Sequence, residues 1–128
     1  MVDIQYKSEK EKLYRKSFNP HVASNEEIKK DMKEQQKLLC DKYLDLSMLV
    51  DDNDLISKIM EKTRNPSPFD KKIIYDSNVK SVDNVYLYDF KDEKTFREVL
   101  KLYYCIIRLL YNYKTDAMVL KERNHGKN

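Results

Sequence analysis

Little in this chain could do chemistry unaided. Its two histidines, His21 and His125, are far apart in sequence, one after a proline in a predicted loop and one in the predicted tail. Metal coordination and base-assisted nucleophilic attack both need side chains that converge from rigid elements. Neither histidine is expected to serve. Asp51, Asp52 and Asp54 form the densest acidic cluster. A calcium-binding helix–loop–helix also needs a glycine at the sixth position and a glutamate at the twelfth. The sixth residue counted from Asp51 is Ile56. The cluster reads instead as a turn and a fresh helix N-cap, where carboxylates meet the positive end of the helix dipole.

The aromatic residues carry more signal. There are ten tyrosines, and Tyr103, Tyr104, Tyr111 and Tyr113 are interleaved with Lys101, Arg108 and Lys114. Single-strand nucleic-acid binders stack bases on aromatics beside basic side chains. Tyrosine and arginine are also the usual anchors of protein interfaces. In helical projection Lys101, Tyr104 and Arg108 fall on a narrow polar stripe, and Tyr111 lies near it. These four are the candidate partner-binding residues. No residue is assigned as catalytic, cofactor-binding or metal-ligating. Cys40 and Cys105 each fall in a predicted helix beside apolar residues and read as small, reduced hydrophobes. A bridge between them would require Cα atoms within about 7 Å.

Glycine is nearly absent; the one glycine, Gly126, is the third residue from the end. Phosphate-cradling loops need glycine for close backbone approach, so a dinucleotide fingerprint and a P-loop are both excluded. Tight hairpins that want positive φ are disfavoured too. The chain is rich in Lys, Asp, Asn, Ile and Tyr, the bias of an AT-rich genome such as that of a virus, phage or parasite. Net charge is +3, with the basic surplus at the two ends and acids interleaved, so no strong single-sign field builds up.

Leu13-Tyr14-Arg15, with Phe18 nearby, resembles the tripeptide that names the LYR family of small mitochondrial helical adaptors. The resemblance implies a basic three-helix chain with its tripeptide near the start of a long first helix. Here the helix carrying it would end at Asn19-Pro20, and the helix that follows is acidic, so the family's function is not carried over. Ser67-Pro68 reads as part of a turn rather than as a site for a proline-directed kinase.

The elements that would position these residues are helices. Residues 7–16 read as a short, weakly amphipathic helix or an arm. Ser24 or Asn25 can cap the next helix, and with Ser24 as the cap Glu27 completes a capping box; Ile28, Met32, Gln35, Leu39, Tyr43, Leu46 and Val50 follow at steps of three and four. This stripe could pack within the chain or against a second copy. Leu55, Ile56, Ile59 and Met60 mark a shorter helix, and Asn65-Pro66-Ser67-Pro68 a breaker within one domain. Ile73-Ile74-Tyr75 and Val85-Tyr86-Leu87-Tyr88 read equally as a two-stranded β ribbon or as extended loop. From Asp92 to Tyr113 the chain is apolar around most of its circumference, the pattern of a helix with neighbours on several sides. Lys114, Thr115 and Asp116 are expected to break it, with a last turn over 117–121 and a frayed tail from Arg123.

The expected fold is therefore mainly α, a single compact domain over residues 1–128, with three or four helices around a central C-terminal helix. The expected function is non-enzymatic: an interaction module or small subunit of a larger intracellular assembly, with another protein as partner. The alternative is an RNA- or DNA-binding accessory protein using basic residues and exposed tyrosines. No cofactor is expected, and a homo-oligomer stays open. Residues 1–20 are too charged for the apolar stretch of a secretory signal. No run reaches the roughly 18 apolar residues of a membrane span. A soluble protein of cytoplasm or nucleus is the expectation.

Overall fold

The computed structural model describes residues 18–62 and 69–125. The expected helix over 7–16, the Leu13-Tyr14-Arg15 tripeptide and the Asn65-Pro66-Ser67-Pro68 breaker lie outside those residues. Among the described residues there are four α-helices and one two-stranded antiparallel sheet.

Helix α1 spans Asn25–Leu49. Of the two caps the sequence offers, Ser24 is the one used, and the capping box forms: the Glu27 amide donates to Ser24 Oγ at 3.2 Å, and the Ser24 amide donates to Glu27 Oε1 at 3.1 Å. Two amides that no helical carbonyl can reach are thereby paired, and these bonds hold the Glu27 carboxyl below its ordinary pKa. Helix α2 spans Asn53–Lys62. Asp52 starts it, its carboxylate accepting from the amides of Asp54 at 2.9 Å and Leu55 at 3.4 Å. The Asp51–Asp54 cluster is thus a turn and a cap, as its residue types imply.

The middle segment departs from expectation. Ile73-Ile74-Tyr75 is not a strand; it belongs to α3, a single helical turn at Lys72–Tyr75. Asp70, two residues before that turn, accepts from the Lys72 amide at 2.9 Å, and Ile74 is buried. The ribbon forms later, from β1 (Ser81–Val82) and β2 (Val85–Tyr86), with Ser81 opposite Tyr86 and Val82 opposite Val85. Its two-residue turn needs no glycine because Asp83 takes the left-handed conformation, at φ 55°. Aspartate tolerates that region through its short polar side chain.

Helix α4 spans Glu93–His125 and is continuous. The expected break at Lys114-Thr115-Asp116 does not occur. None of these residues is a strong helix breaker, Thr115 Oγ1 bonds back to the Tyr111 carbonyl at 2.9 Å, and Asp116 is buried. The helix is enclosed along its first half, where Phe96, Val99, Leu100, Tyr103, Ile106, Ile107 and Leu109 are all within 1% of complete burial. Leu39 and Leu46 of α1, Leu55 and Ile59 of α2, Ile74 of α3, and Val82 and Val85 of the ribbon complete this core. α1 makes the most extensive packing against α4.

Two further findings correct the sequence reading of α1. Its buried face is Ile28, Asp31, Gln35, Leu39, Lys42 and Leu46. Met32 and Tyr43 are only partly buried, while Asp31 and Lys42 lie inside. Steps of three and four from Ile28 reach either Asp31 or Met32, and from Leu39 either Lys42 or Tyr43, so spacing alone does not separate them. Cys40 is exposed rather than a core hydrophobe, whereas Cys105 is buried; both are free thiols. Cys40, Leu44 and Met48 form an exposed row on the side of α1 away from α4.

Arginine and tyrosine tie the small elements to α4. Arg97 donates to the carbonyls of Ile73 and Ile74, each at 3.5 Å, and of Val79 at 2.8 Å, while also pairing with Glu93 at 3.2 Å. The Tyr103 hydroxyl donates to Asp83 Oδ2 at 2.9 Å, fastening the ribbon's turn. In urea titrations, Ile106→Ala should lower the unfolding free energy by about 2–5 kcal/mol. Tyr103→Phe should lower it by about 1 kcal/mol. Met48→Ala, on the exposed row, should stay within about 0.5 kcal/mol of wild type.

Candidate functional site

The residues expected to meet a partner share one side of α4, but the structure treats them differently. Tyr111 is 47% exposed. Lys101 and Arg108 are partly buried, and Lys101 pairs with Glu98 at 3.3 Å and lies 6.0 Å from the centre of the Tyr75 ring. Tyr104 is not exposed: it is 6% accessible and meets the edge of Phe69 at 5.2 Å between ring centres. Burial raises its pKa, opposed in part by the nearby Arg108 charge. Phe69 lies far from Tyr104 in sequence, so no local pattern announces that cover.

Further along α4 the helix interface changes character. Below Leu109 the α1–α4 contact becomes polar, with Asp31 and Gln35 from α1 and Asn112 and Asp116 from α4. Asp31 and Asp116 are 5% and 2% exposed. Gln35 Nε2 donates to Asp31 Oδ1 at 3.3 Å, and Asn112 Nδ2 donates to Gln35 Oε1 at 3.4 Å. These groups line a cavity of about 180 Å³, roofed by Phe18 and Pro20. Asp116 and Asp31 are joined by a carboxyl–carboxyl hydrogen bond. Burial first, then that hydrogen bond and the Asp31 charge, push the Asp116 pKa up to about 8. At neutral pH the pair therefore holds a proton between two carboxyl groups. Asp116 Oδ2, also buried, has no hydrogen-bond partner among the described residues.

The roof of this cavity is held by the helix end that was expected to fray. Arg123 Nη1 donates to Asn25 Oδ1 at 2.8 Å, and Nη2 donates to the carbonyls of Pro20 at 3.1 Å and His21 at 3.2 Å. A planar fork with several donors suits such a multiple contact. The sequence does contain a trace of the polar interface. Leu109, Asn112, Asp116 and Val119 continue the core spacing of α4, with two polar residues at positions where apolar ones are the rule.

A second feature lies on the other side of the same helix pair. Lys29, Lys30 and Lys33, together with the single acidic residue Glu26, rim an open groove of about 630 Å³ floored by Met32, Tyr113 and Leu120. The lysines are exposed, and Gln36 donates to the Tyr113 hydroxyl at 3.3 Å across the groove. Among the described residues, no group of three or more His, Cys, Asp or Glu side chains converges to hold a metal, and no helix is long and apolar enough to cross a membrane. No protein-family model, curated protein or solved structure matches the chain.

The raised Asp116 pKa has a definite sign for stability. The folded state binds the proton more tightly than the unfolded chain, whose aspartate titrates near 3.8. The stabilisation is complete below that value and is lost as pH rises through about 8. Unfolding midpoints should therefore fall between pH 5 and pH 9 (roughly the span of that titration). Asp116→Asn should flatten the profile and gain stability over wild type at its alkaline end.

Proposed function

We propose that this chain is a non-enzymatic interaction module whose α1–α4 groove receives an acidic, apolar-bearing segment of another protein. The observation that carries this reading is the combination of Lys29, Lys30 and Lys33 around an apolar floor of Met32, Tyr113 and Leu120. A basic rim gives electrostatic complementarity and a faster encounter, while the apolar floor supplies area to bury. The groove is open along its length, which suits a peptide or helix edge better than a small molecule enclosed on most sides. Tyr111 and Arg108 face away from this groove on α4 and would serve a second contact, as in a subunit held between two neighbours.

A second reading has its own support. Tyr88 is 78% exposed and stacks on Tyr86 at 5.0 Å between ring centres, with Lys58 Nζ 5.0 Å from the centre of the Tyr86 ring. An aromatic pair beside a cation can take a stacked base, which favours an RNA- or DNA-binding accessory role.

Affinity capture from the native source distinguishes the two. Under the first reading, wild type recovers one protein near equal amounts, and Lys30→Glu with Lys33→Glu loses it while the circular dichroism spectrum is unchanged. A partner retained by that charge reversal counts against the groove. Under the second, short single-stranded RNA shifts in a gel at low salt, binding weakens steeply as salt rises, and Tyr88→Ala reduces it.

A further inference from the structure

The face of α1 that points away from α4 carries apolar side chains that the fold leaves in water. Cys40, Leu44 and Met48 recur there at steps of four, which aligns them in one row along the helix. Cys40 is exposed, and Leu44 and Met48 are 62% and 81% exposed. A single exposed leucine is ordinary. Three apolar side chains aligned on one helix face form a short seam that a second helix can cover.

The charges around the row indicate which helix. Past the capped first turn with Glu26 and Glu27, the exposed charged residues from 29 to 37 are Lys29, Lys30, Lys33 and Lys37. From 41 to 54 they are Asp41, Asp45, Asp51, Asp52 and Asp54. The last turn of α1 holds no basic residue, so the negative end of its dipole meets further negative charge instead of a cation. A second α1 laid antiparallel reverses this order. With a two-fold axis at Leu44, Cys40 lies opposite the second copy's Met48. Lys37, seven residues before the axis, lies opposite the second copy's Asp51, seven residues after it and just past the helix end. A parallel arrangement would set lysine against lysine and aspartate against aspartate.

We propose that this face is an interface with a second copy of the chain: an antiparallel, two-fold α1–α1 pair with Leu44 at its centre, Cys40 and Met48 on either side, and Lys37 against Asp51 at both ends. A two-fold contact needs one surface that is complementary to itself. The row and the charge order together provide it. The facing helix from Lys37 to Leu49 is about 18 Å long. Only three apolar residues per copy enter the contact, so the pair forms reversibly, at about 10⁻⁴ M chain. Lys37, Cys40, Leu44 and Met48 do not line the lysine-rimmed groove, and the pairing does not depend on what that groove binds.

Sedimentation equilibrium of the full chain under reducing conditions reads the association directly. The average mass should rise from one chain toward two as concentration passes through about 10⁻⁴ M. Leu44→Asp should abolish that rise with its circular dichroism spectrum unchanged. Lys37→Glu and Asp51→Lys should each weaken the pair about fivefold. Combining them should restore it, because the charges are then exchanged rather than removed. Cross-linking reads the register. With glutathione disulfide to take up the two electrons and two protons released by a pair of thiols, Met48→Cys should form a disulfide to the second copy's Cys40. Cys105 is buried and does not compete. Met118→Cys, at an exposed position of α4, should cross-link no more than wild type does. A mass that stays at one chain up to about 10⁻³ M leaves the row to some other occupant and overturns the proposal. So does association unchanged in Leu44→Asp, a charge-exchanged chain no tighter than its single variants, or Met48→Cys cross-linking no faster than Met118→Cys.

Discussion

The structure depends on one constraint: the first half of α4 is apolar on nearly every side and must be covered on nearly every side. A single helix cannot do that. α1 packs along one flank, and the rest falls to α2, to the one-turn α3 and to a ribbon with two residues per strand. Elements this small have little stability of their own. They persist because each places one or two side chains, such as Ile59, Ile74, Val82 and Val85, against α4. The hydrophobic demand of one helix thus organises the chain around it.

Polar side chains on α4 then decide where the covering elements sit. Hydrophobic contact is non-directional, so register must come from groups with geometry. Arg97 reaches three carbonyls on the α3–β1 side, and Tyr103 grips Asp83 at the ribbon's turn. At the far end Arg123 does the same for the segment leading into α1. In each case a side chain that could have lain in solvent satisfies backbone or turn groups that no regular ladder pairs.

The candidate site follows from the same helix as its surroundings change. Past Leu109, among the described residues, α4 is faced by α1 and by the segment leading into it, and the interface admits Asp31, Gln35, Asn112 and Asp116. A polar inclusion of this kind is weak evidence for stability, since apolar residues of like size would pack there at lower cost. It sits between the apolar contacts of Leu109 on one side and those of Ile28 and Val119 on the other. The lysine-rimmed groove on the opposite flank has a different chemistry, and nothing connects the two beyond the helices they share.

Much of this architecture was readable from residue order. The Ser24–Glu27 capping box, the Asp52 cap, the amphipathic α1, the apolar α4 and the near absence of glycine all act over a few residues, where helix periodicity and capping chemistry are direct. What residue order left open concerns contacts between distant positions. Spacing could not separate Asp31 from Met32 as the inward residue, and it marked Lys114-Thr115-Asp116 as a break because nothing local shows α1 waiting opposite Asp116. It put Tyr104 on the surface because Phe69 lies in a distant loop, and it took Arg123 for tail because the carbonyls it binds are near the other end of the chain. Local sequence determined which helices form; only the packing of α1 on α4 decided which polar groups would be buried together. The physical reason is that burial belongs to pairs of surfaces, and a surface's partner is not encoded in its own periodicity.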